Sequence, residues 1–287
     1  GRWLMLRLGR ALAFAWLAVL ALATLSGRWL APGAALAQPR LAHAGAAELF
    51  GWWAVATQNT VGIVLAASAV AALVGVLLGA ASAYGEGGVT GVALRFVEFV
   101  GAVPGLILVG VLRLADPSGG VLAVLGTLAV LRTLEVAQLV RVHVLAVLPS
   151  DFVEASRAFG ASRRWQLRVH VLPRVLQPLG VNLLLGAATL VGLEAASSFT
   201  GLGLPSRVPS WGGGLAAIAR GGGSAAALAC VVWSIGASAA AFYGLAALLA
   251  RRQRQAARAL QVAQGAAGAW RREAGALNGP DEASAGH

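Results

Sequence analysis

The chain has 287 residues, of which 58% are hydrophobic and 11% charged, and its mean hydropathy is +0.76. A soluble domain carries about 25% charged residues, so this composition argues against a water-soluble fold and equally against intrinsic disorder. Cys230 is the single cysteine, which excludes a disulfide scaffold. The net charge of +11 comes from 22 basic residues, all arginines, and 11 acidic ones. Arginines in so apolar a chain sort against a membrane face. We therefore predict an all-α integral membrane protein that does not bind nucleic acid.

Six apolar segments are candidates for transmembrane helices, since a bilayer core of about 30 Å needs roughly 20 apolar residues. They lie near 11–30, 58–83, 97–114, 119–140, 179–199 and 226–250. The stretch FGWWAVATQNT before the second segment is interpreted as an interfacial aromatic lead-in. Turn residues between the third and fourth segments predict a tight helical hairpin.

The distribution of arginines predicts the orientation. Arg2, Arg7 and Arg10 precede the first segment, as in a signal peptide, but its length and the lack of a clear cleavage motif favour a retained span. With the N-terminus inside, 16 arginines are cytoplasmic, five are external and Arg132 lies within a span. The positive-inside rule then places both termini in the cytoplasm.

This topology divides the chain into three parts. Residues 1–50 form the N-terminal end, the first span and a short outer loop. Residues 51–250 form a core of five spans, including a long cytoplasmic connection at 141–178. Residues 251–287 form an Arg-rich tail, predicted as a surface helix up to residue 272, in contact with anionic lipid, and as disordered beyond it.

The connection at 141–178 contains a helix–glycine–helix pattern. Asp151 is predicted to cap the first helix, with Glu154 three residues later completing a capping box. Gly160 suits a left-handed helix stop, and a second helix runs from Ser162 towards Pro173. An apolar stripe is expected on the first helix from Phe152, Ala155, Ala158 and Phe159. Such a helix either lies on lipid or docks into a groove of another protein, and the residues alone leave both open.

Two motifs resemble one family. The connection resembles the EAA loop of ATP-binding-cassette (ABC) importer permeases, with Glu154-Ala155-Ser156, Gly160 and Leu172-Pro173 in the family spacing. The later EAASSFTGLG (194–203) and PSWG (209–212) are similar to the EASLSFLGLG and PSWG signature of the dipeptide and oligopeptide branch. Asn59-Thr60 also fits that branch. The resemblance covers roughly residues 58–250.

The resemblance implies the permease subunit of an ATP-driven importer in the bacterial inner membrane, for dipeptides or oligopeptides. It implies a second homologous permease, two cytoplasmic ABC ATPases and an extracytoplasmic solute-binding protein. ATP is bound by the partners, so the chain itself has no cofactor and is not an enzyme. The residues expected to couple to the ATPases are Asp151, Phe152, Glu154, Ala155, Ser156, Phe159, Gly160 and Ala161. The residues expected at the outer gate or path are Glu194, Phe199, Gly201, Gly203 and Trp211. Trp211 suits the membrane–water interface or contact with a docked binding protein.

Three positions depart from the family pattern. Ser156 stands at the third position of the EAA triplet, and Arg174 stands where the branch usually has asparagine. Thr90-Gly91 replaces the usual aspartate before Arg95. These departures weaken the transfer of a particular substrate, so nickel or another small solute is kept as the alternative cargo.

Intramembrane charges are the remaining candidate sites, because they are costly in lipid. Arg132 and Glu135 are three residues apart, so pairing or snorkelling is expected. Glu194 has no local partner, and two roles remain open for it: the transport path or a helix–helix hydrogen bond. The chain has no lysine, which excludes a GxxxxGK phosphate loop, and its four scattered histidines form no zinc pattern. His170 is expected to pack locally.

Two other classes of function are alternatives, a membrane scaffold and an ion-coupled secondary transporter. A membrane scaffold would use the same loop as a static docking site. An ion-coupled secondary transporter needs coupling charges near the midplane on broken helices. The scarcity of intramembrane charges disfavours the secondary transporter.

Overall fold

The computed structural model describes residues 2–30, 45–84, 99–100, 102–115 and 120–277. This described part is helical and contains no strand, which confirms the all-α class. Two π-helical turns, Leu167–Val171 and Ile218–Gly222, interrupt the helices. The helices are α1 (Arg2–Leu30), α2 (Ala46–Tyr84), α3 (Gly105–Ala115), α4 (Val121–Val147), α5 (Asp151–Ala158), α6 (Arg163–Gln166), α7 (Leu172–Phe199), α8 (Trp211–Ala217) and α9 (Ala225–Leu277).

Four helical segments are long and apolar enough to cross a membrane. They are Ala46–Tyr84, Val121–Val147, Arg163–Phe199 and Ala225–Ala259, and they contain the predicted second, fourth, fifth and sixth spans. The apolar parts of α1 and α3 are shorter, at Ala11–Leu25 and Gly105–Ala115. The first and third spans therefore stay predictions, and residues 116–119 of the predicted hairpin turn lie outside the described residues.

Two helices extend beyond their predicted bounds. The stretch before residue 58 is the first part of α2, so this helix begins at Ala46. Its Trp52 and Trp53 are buried, and Trp53 Nε1 donates a 2.7 Å hydrogen bond to Ser234 Oγ in α9, so tertiary packing extends the helix. At the other end, α9 continues to Leu277, five residues past the expected onset of disorder. Residues 278–287 lie outside the described residues.

Helix α2 is the centre of the packing, with contacts to α1, α4 and α7. Small residues allow close approach to α4. A Cβ at Gly75 would lie 2.7 Å from Val136 Cβ, and one at Gly79 would lie 2.8 Å from Val140 Cβ. Where lipid lies outside, close contact between small residues replaces the hydrophobic effect as the source of helix association. Gly192, which the sequence suggested for the same purpose, has nothing within 4 Å of its Cβ position.

The chain forms two compact units, residues 1–246 and 247–287. The first unit holds two apolar clusters. One surrounds Trp52, Leu128, Val191 and Trp211, and the other joins Val140 and its neighbours in α4 to the start of α7. The described residues of the second unit belong to the last part of α9 and are mostly exposed, Val262 and Trp270 among them.

Candidate functional site

The N-cap residue of helix α5 lies one position earlier in the sequence than predicted. Ser150, not Asp151, is the N-cap residue: its backbone is extended, and its carbonyl accepts from the amides of Val153 and Glu154 at 2.8 and 3.1 Å. The Ser150 hydroxyl turns back to the Val147 carbonyl and does not cap the helix. Asp151 and Glu154 therefore both lie in the first turn, where negative charge complements the helix dipole.

The apolar side of α5 also differs from the prediction. Val153 is the residue that packs inward, at 3% exposure, and Phe152 is half-buried. The expected stripe residues Ala155, Ala158 and Phe159 are exposed, and the Phe159 side chain reaches 90% exposure. Helix α5 thus presents an apolar surface that nothing in the described part of the chain covers.

Gly160 ends α5 as predicted, with a φ of +80°. The amide of Gly160 donates to the Arg157 carbonyl at 2.9 Å, and the amide of Ala161 donates to the Ser156 carbonyl at 3.0 Å. This pair of bonds is a Schellman motif, which needs a left-handed residue and so favours glycine. Ser162 then caps α6 by accepting from the Trp165 amide at 3.3 Å.

An aromatic cluster joins α5 to the start of α7. The His170 ring packs edge-on against Phe152 and Trp165, with centroid distances of 5.5 and 5.1 Å, which confirms that this histidine packs locally. Arg174, the residue that replaces the usual asparagine, lies with its Cζ 3.8 Å from the Phe152 ring centroid. Such a cation–π contact ties α5 to α7.

At the opposite end of α7, Glu194 is fully buried. Its Oε1 accepts a 2.8 Å hydrogen bond from Ser198 Oγ, and Ser198 Oγ in turn accepts from the Leu204 amide at 3.0 Å. Glu194 Oε2 is buried without a normal hydrogen bond to any described residue. The Thr60 and Ser210 hydroxyls also interact with the carboxyl group. The prediction that Glu194 has no local partner is wrong, because Ser198, four residues along the same helix, donates to its carboxyl group.

Helix α2 holds the segment before α8 in place. Asn59 Nδ2 donates to the Pro209 carbonyl at 2.8 Å, and Thr60 Oγ1 accepts from the Trp211 amide at 3.2 Å. Trp211 Nε1 donates to Thr57 Oγ1 at 3.2 Å. Asn59-Thr60 and the PSWG motif, about 150 residues apart, are thus two halves of one hydrogen-bonded arrangement. We call Glu194, Ser198, Thr57, Asn59, Thr60 and Ser210 with Trp211 the α2–α7–α8 polar network.

Trp211 does not lie where the sequence suggested. We expected it at a membrane interface or on a surface for a binding protein, but its side chain is fully buried between α2 and α7. The other predicted gate residues separate into two groups. Phe199 and Gly201 are exposed at the end of α7, whereas Gly203 packs against the Ser198 backbone. Gly212, which the sequence indicates only as part of the PSWG motif, packs directly against the backbone of Ala195 in α7.

Arg132 and Glu135 form the predicted ion pair. The structure adds a third partner. Arg132 Nη2 also donates to the backbone carbonyl and the Oδ1 of Asn182 in α7, at 2.5 and 2.6 Å. The guanidinium is 3% exposed and lies against Gly186, where no side chain could fit, whereas Glu135 is 58% exposed. Arg132 therefore links α4 to α7.

Comparison with known proteins identifies the family. The profile described as "Binding-protein-dependent transport system inner membrane component" matches residues 72–255, more than half of the chain. The chain belongs to this family. The match contains α5 and Glu194, whereas the α2 residues of the polar network, Thr57, Asn59 and Thr60, precede it.

Several curated relatives have peptide-transport names. The chain is 28% identical over 158 residues to the oligopeptide transport system permease protein OppC of Bacillus subtilis, covering 55% of this chain and 52% of that protein. It is 28% identical over 162 residues to the dipeptide transport system permease protein DppC of the same species, covering 56% and 49%. A putative peptide transport system permease protein of Brucella suis is 29% identical over 210 residues, covering 68% and 70%. The chain spans about half the length of the first of these relatives.

Proposed function

We propose that this chain is the permease subunit of an ATP-driven ABC importer for dipeptides or oligopeptides in the bacterial inner membrane. It forms the translocation path with a second homologous permease, receives its cargo from an extracytoplasmic solute-binding protein and is driven by two cytoplasmic ATPases. Six spans place both termini in the cytoplasm. The family membership and the names of the peptide-permease relatives support this proposal.

The exposed face of α5 is the proposed contact with an ATPase. It combines an acidic first turn, Asp151 and Glu154, with the protruding Phe159 ring and the small residue Ala155. An aromatic anchor beside charged residues is typical of a helix that docks into a groove of another protein. Phe152 and Ser156 are half-buried, so they position α5 on the chain, and Gly160 with Ala161 fixes the end of the helix.

The observation that carries the proposal is the placement of the two sites at the two ends of α7. The Phe152–His170–Arg174 cluster fastens α5 to the first residues of α7, and Glu194 lies near its last turn. At about 1.5 Å per residue, a 28-residue helix measures about 42 Å, enough to cross a bilayer. Motion of the docked ATPases would therefore reach the outer gate through a single helix. A ligand shifts such an equilibrium only if it binds the two states differently.

The proposal is tested on the α5 surface with a matched pair of variants. Phe159→Asp places a charge in the proposed ATPase contact, and Val262→Asp makes the same change at an exposed residue of the tail. We expect Phe159→Asp to remain in the membrane but to lose ATPase co-purification and at least about tenfold of peptide uptake, a loss of about 1.4 kcal/mol in coupling. Val262→Asp should retain both ATPase co-purification and peptide uptake.

Each competing function predicts a different result. A static scaffold would bind its partners without any ATP-dependent uptake in the wild-type cells. An importer of nickel or another small solute would lose uptake of that solute, but not of peptides, in Phe159→Asp. Unaltered uptake and ATPase association in cells that contain the Phe159→Asp protein would contradict the docking role.

A further inference from the structure

A cavity beside the α2–α7–α8 polar network has an unusual lining. It measures about 570 Å³ and lies between α3, the segment after α7 and the turn that ends α8. Three of its lining residues are arginines from three different parts of the chain: Arg113 of α3, Arg207 and Arg220. Ser198, whose hydroxyl binds Glu194, lies in the same wall.

The fold brings these arginines together by local backbone features. Arg207 lies in the short connection between α7 and α8, which Asn59 fastens two residues later at Pro209. Arg220 lies in the π-helical turn Ile218–Gly222, and Gly221, with a φ of +88°, ends that turn. Arg113 lies in the last turn of α3 and is half-buried. Glycine at 221 permits the left-handed conformation that most residues avoid.

Two of the arginines in this cavity, Arg207 and Arg220, are exposed. None of the described lining residues is acidic, and neither Arg207 nor Arg220 forms an ion pair with a described residue. Their like charges repel one another across the concave space. An anion entering the cavity would relieve this repulsion, and guanidinium groups suit carboxylates through paired hydrogen bonds.

We propose that the cavity binds the terminal carboxylate of the transported peptide at the outer mouth of the translocation path. This inference rests on the proposed peptide-import function. The volume is within the about 300–1,000 Å³ of small-molecule sites, so it suits the end of a short peptide better than the flat surface of a partner protein. The exposed Arg207 and Arg220 bind the carboxylate, and the half-buried Arg113 is part of the same lining.

The site is tested by chemical protection of one lining residue. Ser206→Cys, in a Cys230→Ser background, gives this chain a single thiol, beside Arg207, and its labelling is followed on this subunit. The complete transporter in neutral phosphatidylcholine nanodiscs is treated with an anionic methanethiosulfonate reagent, and the labelling rate is measured. The probes are dialanine to pentaalanine with free carboxylates and the same peptides as C-terminal amides. Arg207→Gln/Arg220→Gln is the test variant, and Arg251→Gln is a control for loss of a positive charge elsewhere.

We expect the free peptides to slow labelling at least threefold and the amides to leave it unchanged. Without peptide, the double variant should label roughly tenfold more slowly, because two nearby charges no longer attract the reagent. It should also show no protection, while Arg251→Gln behaves as the parent. Equal protection by amides, or protection that survives in the double variant, would overturn the proposal. Slowing by phosphatidylglycerol in place of peptide would overturn it in favour of a lipid phosphate.

Uptake in intact cells separates this inference from the function on which it rests. If cells take up the alanine peptides equally well with the parent protein and with the double variant, the importer function holds and the cavity proposal is refuted. If cells with the parent protein take up no peptide, the peptide function itself is refuted. Loss of uptake in the double variant, with the ATPases still co-purifying, supports both.

Discussion

Gly212 of α8 lies so close to Ala195 of α7 that a methyl group at position 212 would collide with the Ala195 carbonyl oxygen. The collision is with backbone, which cannot rotate away as a side chain can. This approach places Ser210 and Trp211 beside Glu194 and brings the polar network within reach of α2. A glycine is required here for space, since its own φ is not in the left-handed region.

Gly212→Ala should therefore destabilise the chain by about 1–3 kcal/mol, the usual cost of overpacking a core. Gly236→Ala is the matched control, because a Cβ there meets nothing within 4 Å. Unfolding in mixed micelles, followed by tryptophan fluorescence, measures both variants. Equal stability of the two variants would show that α8 does not pack on α7 as described.

Glu194→Gln should impair transport while leaving the complex assembled. The amide group would bring a donor to hydroxyls of which Thr60 and Ser210 already accept from backbone amides, so the network must rearrange. The loss of one hydrogen bond, about 0.5–1.5 kcal/mol, corresponds to a fall in the uptake rate of up to roughly tenfold. Peptide uptake and ATPase co-purification are measured in parallel. Glu135→Gln is the matched control at an exposed glutamate, and similar uptake by both variants would argue against a gate role for Glu194.

Gly160→Ala tests the end of the docking helix by conformation alone. Nothing lies within 4 Å of the Cβ position, so the cost arises only from the φ of +80° and amounts to about 1–2 kcal/mol. We expect weaker ATPase association with little change in membrane content. Gly62→Ala has the same free space in a helical conformation and should be neutral or stabilising. If the Gly62 variant impaired association as much, the turn geometry would not be the cause.

Arg132→Leu should cost more than Glu135→Gln, although the two residues form one ion pair. Removal of the arginine loses its hydrogen bonds to Asn182 at about 1.5–3 kcal/mol for a charged donor. Glu135 is exposed, and an exposed pair contributes about 0–1 kcal/mol. Unfolding by sodium dodecyl sulfate in mixed micelles gives both values. A larger loss for Glu135→Gln would mean that the ion pair, not the link to α7, stabilises this region.

The proposed orientation is tested with two cysteines in a Cys230→Ser background. Ser206 is exposed next to the proposed outer cavity, and Ser162 is exposed between α5 and α6. An impermeant thiol reagent added to intact cells should label Ser206→Cys, and Ser162→Cys should react only after permeabilisation. The reverse pattern would contradict the N-inside topology.

The turn between α5 and α6 could be predicted from sequence because it depends on neighbouring residues. Gly160 acts on its immediate neighbours, so its turn is predicted correctly, and the next helix begins beside Ser162 as expected. The cap at Ser150 was missed because Ser150, Asp151 and Glu154 allow two registers of one capping pattern, and only backbone geometry separates them. The inward direction of Val153 depends on its contact with the rest of the chain and carries no signal within the helix.

The α2–α7–α8 polar network and the neighbouring cavity could be predicted only in part. The motif singled out Glu194 and Trp211, but their surroundings depend on α2, about 150 residues away. A tryptophan in an apolar chain fits a membrane interface as well as a core, and the Thr57 hydroxyl that satisfies its indole nitrogen is not a neighbour in sequence. The three arginines of the cavity lie in three separate segments, so no spacing rule connects them.

Helix α2, with 39 residues, measures about 58 Å, almost twice the thickness of a hydrocarbon core. If it crosses the bilayer without extreme tilt, roughly half of its length meets water or headgroups. Two regions of one helix are then stabilised by different solvents. The Trp52–Trp53 end is held mainly by expulsion of water, and the Gly75–Gly79 end by close packing in lipid. Urea should therefore loosen the first end long before the second, and bilayer thickness should determine where along α2 the change occurs.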